Sequence, residues 1–285
     1  MSNQVIINAW NTVLFDKFSR FRHLLVEGLA THSDAALEPC GYGVGERVLD
    51  VGCGFGDSTL QIAERVGATG EAVGLDCSEK FIRSAEQAAK GRDVANVRFV
   101  VADAQTDALG GPYDHVFSRF GTMFFDLPGA AMRNLRRALA PGGTSMHVVW
   151  RKREDNPWLH EAEKRVKEIV PVVSHADTDQ VHCGPGPFSM ASADLVSTIL
   201  RDAGFTKVAL ERHDADICIG KDLDDAVEFA MALGPAGEIL RLAGEEGAKR
   251  RPAVVVALKD TLASFARADG IWAPSSTWLI TAVNP

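Results

Sequence analysis

The sequence predicts an α/β protein built on a mostly parallel sheet with helices on both faces, and three observations carry that expectation. Between about residues 46 and 150, short apolar, β-branched runs alternate with amphipathic stretches of helical period. The first run, Val48-Leu49-Asp50-Val51, passes directly into Gly52-Cys53-Gly54-Phe55-Gly56, with three glycines at every second position. Later runs end in an aspartate or a polar turn, and open α/β sheets bind ligands beyond those strand ends.

Residues 1–45 are expected to lie outside the sheet. Residues 5–29 read as one or two amphipathic helices, with Trp10, Val13, Leu14, Phe18, Phe21, Leu24, Leu25 and Leu29 near helical spacing. Most of these suit core packing, and Trp10 and Phe15 also suit the roof of a cleft. After the glycine turn, Asp57-Ser58-Thr59 opens a helix with Leu60, Ile62, Ala63 and Val66 on one face. Residues 71–75 form a second strand closed by Asp76, and a helix from Ser78 carries Phe81, Ile82, Ala85, Ala88 and Ala89. Val97–Val101 is a third strand, ending in Ala102-Asp103-Ala104, and residues 113–117 a fourth, ending in Ser118-Arg119-Phe120-Gly121. A helix through Met132, Leu135, Ala138 and Leu139 stops at Pro141-Gly142-Gly143, and residues 144–150 are a fifth strand.

Beyond Trp150 the alternation breaks. Residues 151–190 hold a charged helix from Trp158 and a polar loop rich in His, Asp, Gly and Pro. Ser192 caps a helix ended by Gly204. Residues 206–211 are a sixth strand, extendable to Ile219. Helical patterns then cover 224–233, 236–243 and 253–266 before a last strand at 277–282. The expected organisation is an N-terminal helical lid segment (1–45), a ligand-binding core (46–150) and a remainder (151–285). That remainder completes the sheet at about 192–213 and 274–285. It carries cap insertions at about 151–190 and 214–270, gathered over the strand ends.

A formal net charge of −8 and a pI near 5.5 argue against nucleic acid or an anionic membrane as partner. The basic clusters at Lys17, Arg20 and Arg22 and at Arg151, Lys152 and Arg153 read as solvated faces. Five cysteines, at 40, 53, 77, 183 and 218, are odd in number and form no C-x-x-C, which fits a reducing cytoplasm. There is no basic stretch followed by an apolar run at the start and no 18-residue apolar segment, so no integral membrane segment is expected. The polar cluster His175, Asp177, Asp179, His182 and Cys183 matches no compact zinc spacing, and no metal is expected. A monomer or a homodimer both fit.

Two ligand classes compete for the glycine turn. A dinucleotide site wants G-x-G-x-x-G, but the third glycine position is Asp57, a carboxylate facing what would be a pyrophosphate. The pattern hydrophobic-hydrophobic-Asp-hydrophobic-Gly-x-Gly-x-Gly instead resembles motif I of the class I S-adenosylmethionine (SAM) methyltransferases. Asp50 suits a ligand with a sulfonium and an α-ammonium, Asp76 can accept from both hydroxyls of a ribose, and Asp103 from an adenine amine. The run 118–125, the turn 139–143, Trp150-Arg151 and Asn156-Pro157-Trp158 resemble the branch similar to the ubiquinone/menaquinone-biosynthesis C-methyltransferases (methyltransferase type 11). The resemblance implies a Rossmann-like sheet of seven strands, mostly parallel with the last antiparallel. It also implies SAM as cofactor, leaving S-adenosylhomocysteine (SAH).

On that reading the cofactor residues are Asp50, Gly52, Cys53, Gly54, Gly56, Ser58, Asp76, Cys77, Asp103, Ala104, Gln105, Ser118, Arg119 and Phe120. A pocket of Trp10, Phe15, Phe120, Met123, Phe124, Trp150 and Trp158 would hold a small apolar or aromatic acceptor. Candidates for a general base are His160, His175 and His182, whereas His147 and His115 read as packed core residues. A catalytically silent SAM- or SAH-binding module, or a partner subunit, is the alternative from another class. A nicotinamide oxidoreductase is a further one, opposed by Asp57.

Overall fold

The structure is a computed structural model that describes residues 4–92, 94–170 and 186–285. β1 (Arg47–Val51), β2 (Glu71–Asp76), β3 (Val97–Val101), β4 (Tyr113–Arg119) and β5 (Leu139–Trp150) come first in the chain. β6 (Thr206–Gly220), β7 (Ala266–Arg267) and β8 (Gly270–Val283) follow. The sheet order is β3-β2-β1-β4-β5-β8-β6, with the two-residue β7 paired to β8. β1 to β5 are parallel, and β8 runs antiparallel between β5 and β6. This is the expected Rossmann-like sheet. β1 is central, and Val48 and Leu49 have no exposed surface. Strands buried on both faces read as continuous apolar runs, which is why they stand out in the sequence.

The helices Asp57–Val66 and Glu79–Arg92 and the helix Pro128–Ala138 cover the sheet with the faces their spacing selects, burying Leu60, Ile62 and Val66, then Phe81, Ile82 and Ala85, then Met132 and Leu135. Several elements differ from the sequence reading. The N-terminal segment breaks into Gln4–Trp10, Val13–Arg20 and a π-turn Leu24–Gly28, followed by an unanticipated helix, Ala30–Cys40. β5 begins at Leu139, which pairs with Tyr113, so Pro141-Gly142-Gly143 lies within the strand. There Gly142 N and Asn284 N exchange bonds with Asn284 O and Gly143 O. β6 and β8 are much longer than expected, because they continue as a two-stranded ladder past the last β5 partner, Thr277, to Ile271.

Within the second insertion, the helices Leu223–Leu233 and Pro235–Leu242 fall close to the predicted spans. The last helix instead runs Gly244–Leu262 through Pro252. It lies against Pro157–Ile169, where Arg250 Nη1 donates to Ile169 O at 2.7 Å. Residues of the N-terminal helices and of the helices Pro157–Ile169, Leu223–Leu233 and Pro235–Leu242 line one cavity with residues at the carboxyl ends of β1, β2, β3 and β4. The helices Gln4–Trp10 and Val13–Arg20 bury no side chain fully. They are held by contacts such as Lys17 Nζ to Ala232 O (3.1 Å) and the Arg20–Glu228 ion pair.

Candidate functional site

β1 delivers the chain into a turn in which Gly52, Gly54 and Gly56 all have left-handed φ (69°, 55° and 82°). Two of these positions also exclude a side chain by contact. A Cβ on Gly52 would stand 2.9 Å from Gly121 Cα, and one on Gly56 2.8 Å from Ala85 Cβ. Gly52 therefore lets the loop after β4 cross the turn, and Gly56 lets the helix Asp57–Val66 seat against its neighbour. Gly52 N and Cys53 N both donate to Leu75 O, at 2.7 and 3.0 Å, which locks the turn to β2.

The three aspartates take different places. Asp50 is 1% exposed and set back beneath the turn, where its Oδ2 accepts from Ser58 Oγ (2.7 Å) and Thr59 Oγ1 (2.6 Å). Burial pushes its pKa up, while those two hydroxyls pull it down. Asp50 is not among the residues that line the cavity, and through Oδ2 it ties the strand to the following helix. Asp76 does face the cavity. Its Oδ2 accepts from Gly54 N (3.1 Å) and its Oδ1 from Ser78 N (2.9 Å), and burial raises its pKa to about 6. Asp103 lines the same cavity with Ala104 and holds its own turn, Oδ1 accepting from Gln105 N (3.0 Å) and Gln105 Nε2 (3.2 Å). Gln105 is buried behind it and accepts from Leu127 N at 2.6 Å.

These groups open onto a cavity of about 500 Å³. Its floor is Val51, Gly52, Cys53, Gly54 and Phe55, with Ser58, Leu75, Asp76, Cys77, Ala102, Asp103 and Ala104 at the adjoining strand ends. The Cys53 and Cys77 thiols are pushed up by burial and then by Asp76, so both stay protonated and are poor nucleophiles. One wall is Arg119, Phe120 and Gly121. Ser118 stands behind it, donating to Val51 O at 2.7 Å. Arg119 reaches Ser33 Oγ (3.0 Å) and Leu25 O (3.3 Å), and burial lowers its pKa against the pull of Asp57 and Asp50. Phe120 has φ +57°, a conformation a bulky residue rarely adopts, and stacks on Trp150 with ring centroids 4.4 Å apart. Met123 and Trp158 are buried and line the cavity, and Trp158 stacks on Phe229 at 5.6 Å. Trp10 roofs it, edge-on to Phe124 at 5.0 Å.

One expected pocket member, Phe15, and one general-base candidate, His160, do not line the cavity. Phe15 packs outside the cavity against Phe55 and Phe81, and His160 lies on the helix Pro157–Ile169 beside, not among, the lining side chains Trp158 and Leu159. His175 and His182 fall outside the described residues. His147 is fully buried, with a pKa lowered to about 4 by burial. His115, expected in the core, instead bonds Thr144 Oγ1 (2.7 Å) and Glu46 Oε2 (2.9 Å) near the surface. Among the described residues no group of three or more His, Cys, Asp or Glu side chains could hold a metal. No described helix is long and apolar enough to cross a membrane.

Sequence reasoning missed several lining residues: Lys17, Leu159, Phe188, Phe229, Leu233, Glu238 and Arg241. The helical periodicity of 224–233 and 236–243 marked buried faces, but nothing local says which face joins the cavity.

Comparison with known proteins bears on the domain and the fold. Residues 48–143 match the family described as "Methyltransferase domain". The demethylmenaquinone methyltransferase of Geobacillus kaustophilus is 34% identical over 103 residues, 36% of this chain and 44% of that protein. The ubiquinone/menaquinone biosynthesis C-methyltransferase of Azotobacter vinelandii is 36% identical over 118 residues, 41% of this chain and 47% of that protein. The chain thus spans less than half the length of these curated relatives. A putative methyltransferase from Bacillus halodurans shares the fold, with a TM-score of 0.57 at 16% identity over 90% of this chain and 99% of that one.

Proposed function

We propose that the protein transfers a methyl group from SAM to a small, largely apolar or aromatic acceptor at carbon, oxygen or nitrogen, a reading supported by the match of residues 48–143 to the methyltransferase domain family. The observation that carries this is a single cavity of mixed chemistry. Its lining joins the glycine turn, Asp76 and Asp103 to the apolar side chains Trp158, Leu159, Phe188, Phe229 and Leu233, with Lys17, Glu238 and Arg241 also on it. The acidic net charge and the cysteine pattern support a small-molecule acceptor in the cytoplasm.

The glycine turn, Asp76 and Asp103 fit an adenosyl cofactor. A turn without Cβ atoms admits close approach of a ligand, and the Asp76 carboxylate, already held by two backbone N–H groups, has capacity left for two ribose hydroxyls. Bound SAM supplies a methyl group already activated on a sulfonium. What remains for the protein is to align the acceptor atom for an in-line displacement and to keep water out. Phe120 and Trp150 offer aromatic faces that favour a positive centre. Met123, Phe124 and Trp158 fill the wall beyond them, and the helices bearing Trp10 and Leu233 close the roof.

Calorimetric titration of the full chain with SAM, SAH and NADH tests the cofactor, followed by transfer of isotope-labelled methyl to a panel of phenols, quinols, enols and amines. Micromolar binding of SAM and SAH, none of NADH, and a labelled product support the proposal. Tight SAM binding without turnover on any acceptor favours a silent binding module. A folded protein that binds no SAM refutes it.

A further inference from the structure

The aromatic wall of the cavity rests on a histidine outside it. His32, on the helix Ala30–Cys40, has no exposed surface. Its ring stands nearly perpendicular to both Trp150 (5.9 Å, 86°) and Phe120 (6.2 Å, 88°), behind the stack those two rings form. The hydrogen bonds around it settle which nitrogen carries the proton. Ser275 Oγ gives its one proton to Ala215 O at 2.8 Å, so at 2.7 Å it accepts from His32 Nε2. His32 Nδ1 is then the acceptor, and His213 Nδ1, 2.9 Å away on β6, donates to it. Thr277 Oγ1 lies 3.1 Å from the same nitrogen and 3.3 Å from His213 O.

A second proton on His32 would set two N–H donors face to face. Burial, and then the neighbouring His213, lower its pKa to about 3 against the opposing pull of Asp214, so the ring stays neutral near pH 7. Phe120, meanwhile, keeps a left-handed φ of 57°, which for a non-glycine residue persists only where its surroundings hold it. Its backbone N donates to Val148 O at 2.8 Å, and its ring is clamped between Trp150 and His32.

We propose that His32, oriented by the hydrogen bond from His213, is a positioning residue of this site: it fixes the Phe120–Trp150 stack and so the wall against which the ligand binds. The inference rests on the function proposed above. It deepens that reading by placing a determinant of cofactor affinity on β6, outside the cavity.

His213 does not line the cavity, so changing its side chain removes no direct contact with a ligand bound there. The test is a double-mutant cycle on SAH affinity, read by calorimetry, with His213→Ala, Phe120→Ala and the double variant. His213→Ala is expected to weaken SAH about fivefold or more, and to add less than about twofold in the Phe120→Ala background. His213→Gln, which restores a donor, should recover most of the loss, a rescue that a merely structural role would not show. Nitrogen NMR of the wild type should show His32 protonated at Nε2 and not titrating between pH 8 and 5. A folded His213→Ala protein that binds SAH within about twofold of wild type overturns the proposal, as do losses that multiply independently in the double variant. Failure of the wild type to bind SAH removes the functional reading itself, and this inference with it.

Discussion

Removal of the Asp76 carboxylate is the sharpest perturbation of the candidate cofactor site. The side chain ends β2, lines the cavity, and accepts from Gly54 N and Ser78 N, leaving capacity toward the cavity. Two ribose hydroxyls donating to a carboxylate are worth about 1.5–3 kcal/mol each. Asp76→Ala should therefore weaken SAM and SAH by about 3 kcal/mol or more, roughly 100-fold, since each 1.4 kcal/mol is about tenfold. The pKa near 6 adds a pH signature. Hydroxyl donors need the ionised carboxylate, about nine-tenths present at pH 7 and about one-tenth at pH 5. Wild-type affinity should thus fall about tenfold from pH 7 to pH 5, and that dependence should vanish in Asp76→Ala.

For the free protein the sign is opposite. A carboxyl whose folded pKa is raised stabilises the fold below the unfolded value of 3.8, and that contribution is lost as pH rises through 6. Bound SAM should consequently raise the melting temperature more at pH 7 than at pH 5. Calorimetry at the two pH values decides. An Asp76→Ala protein that is folded and binds SAM within about threefold of wild type refutes the site assignment.

Other changes separate the parts of the fold. Gly56→Ala combines a left-handed φ with a Cβ 2.8 Å from Ala85, and should lose about 2–4 kcal/mol in denaturant titration. Gly91→Ala, helical and with no atom within 4 Å of the new Cβ, should gain about 0.5–1 kcal/mol, and equal effects at the two sites would contradict the packing argument. Glu163 is 3% exposed and pairs with Arg153 (2.8 Å) and Lys167 (2.9 Å); Glu163→Ala should destabilise by about 3–5 kcal/mol, and a loss under about 1 kcal/mol would show the pairing to be incidental. Phe229→Ala, in the apolar part of the cavity lining, should lower stability by about 3–5 kcal/mol yet leave SAH affinity within about threefold. A large loss of SAH affinity would place Phe229 against the cofactor.

The parts of this molecule that were readable from the sequence are those in which chemistry is local. A buried parallel strand must be apolar throughout, and a turn of left-handed residues must be glycine, so β1 and Gly52, Gly54 and Gly56 announce themselves. Asp76 and Asp103 follow because they stand at strand ends. Asp50 shows the limit of that reasoning: strand position marks it, but only tertiary structure shows that the helix hydroxyls of Ser58 and Thr59 bond its Oδ2. The helix Ala30–Cys40 was invisible because Thr31, His32, Ser33 and Asp34 give no apolar period, and its burial is imposed by β6 and the Trp150 wall. Pro252 similarly hid the first half of the helix Gly244–Leu262, which packs against Pro157–Ile169. Lys17, Phe229 and Arg241 join the cavity lining only through tertiary packing, and no window of sequence contains that fact.

The order of the strands bears on how the protein emerges from the ribosome. β1 to β5 lie within residues 47–150, so the glycine turn and its aspartates can assemble while translation continues. The partner of β5's outer edge, β8, begins at Gly270, and the roof helix Pro235–Leu242 also lies far downstream. With synthesis running at about 5–20 residues per second, the interval before β8 appears is on the order of ten seconds. During it the nascent chain exposes an unpaired strand edge and an apolar floor, the two features that recruit other chains into aggregates. The stretch between completion of β5 and emergence of β8 is therefore the stage at which this chain is most exposed to aggregation.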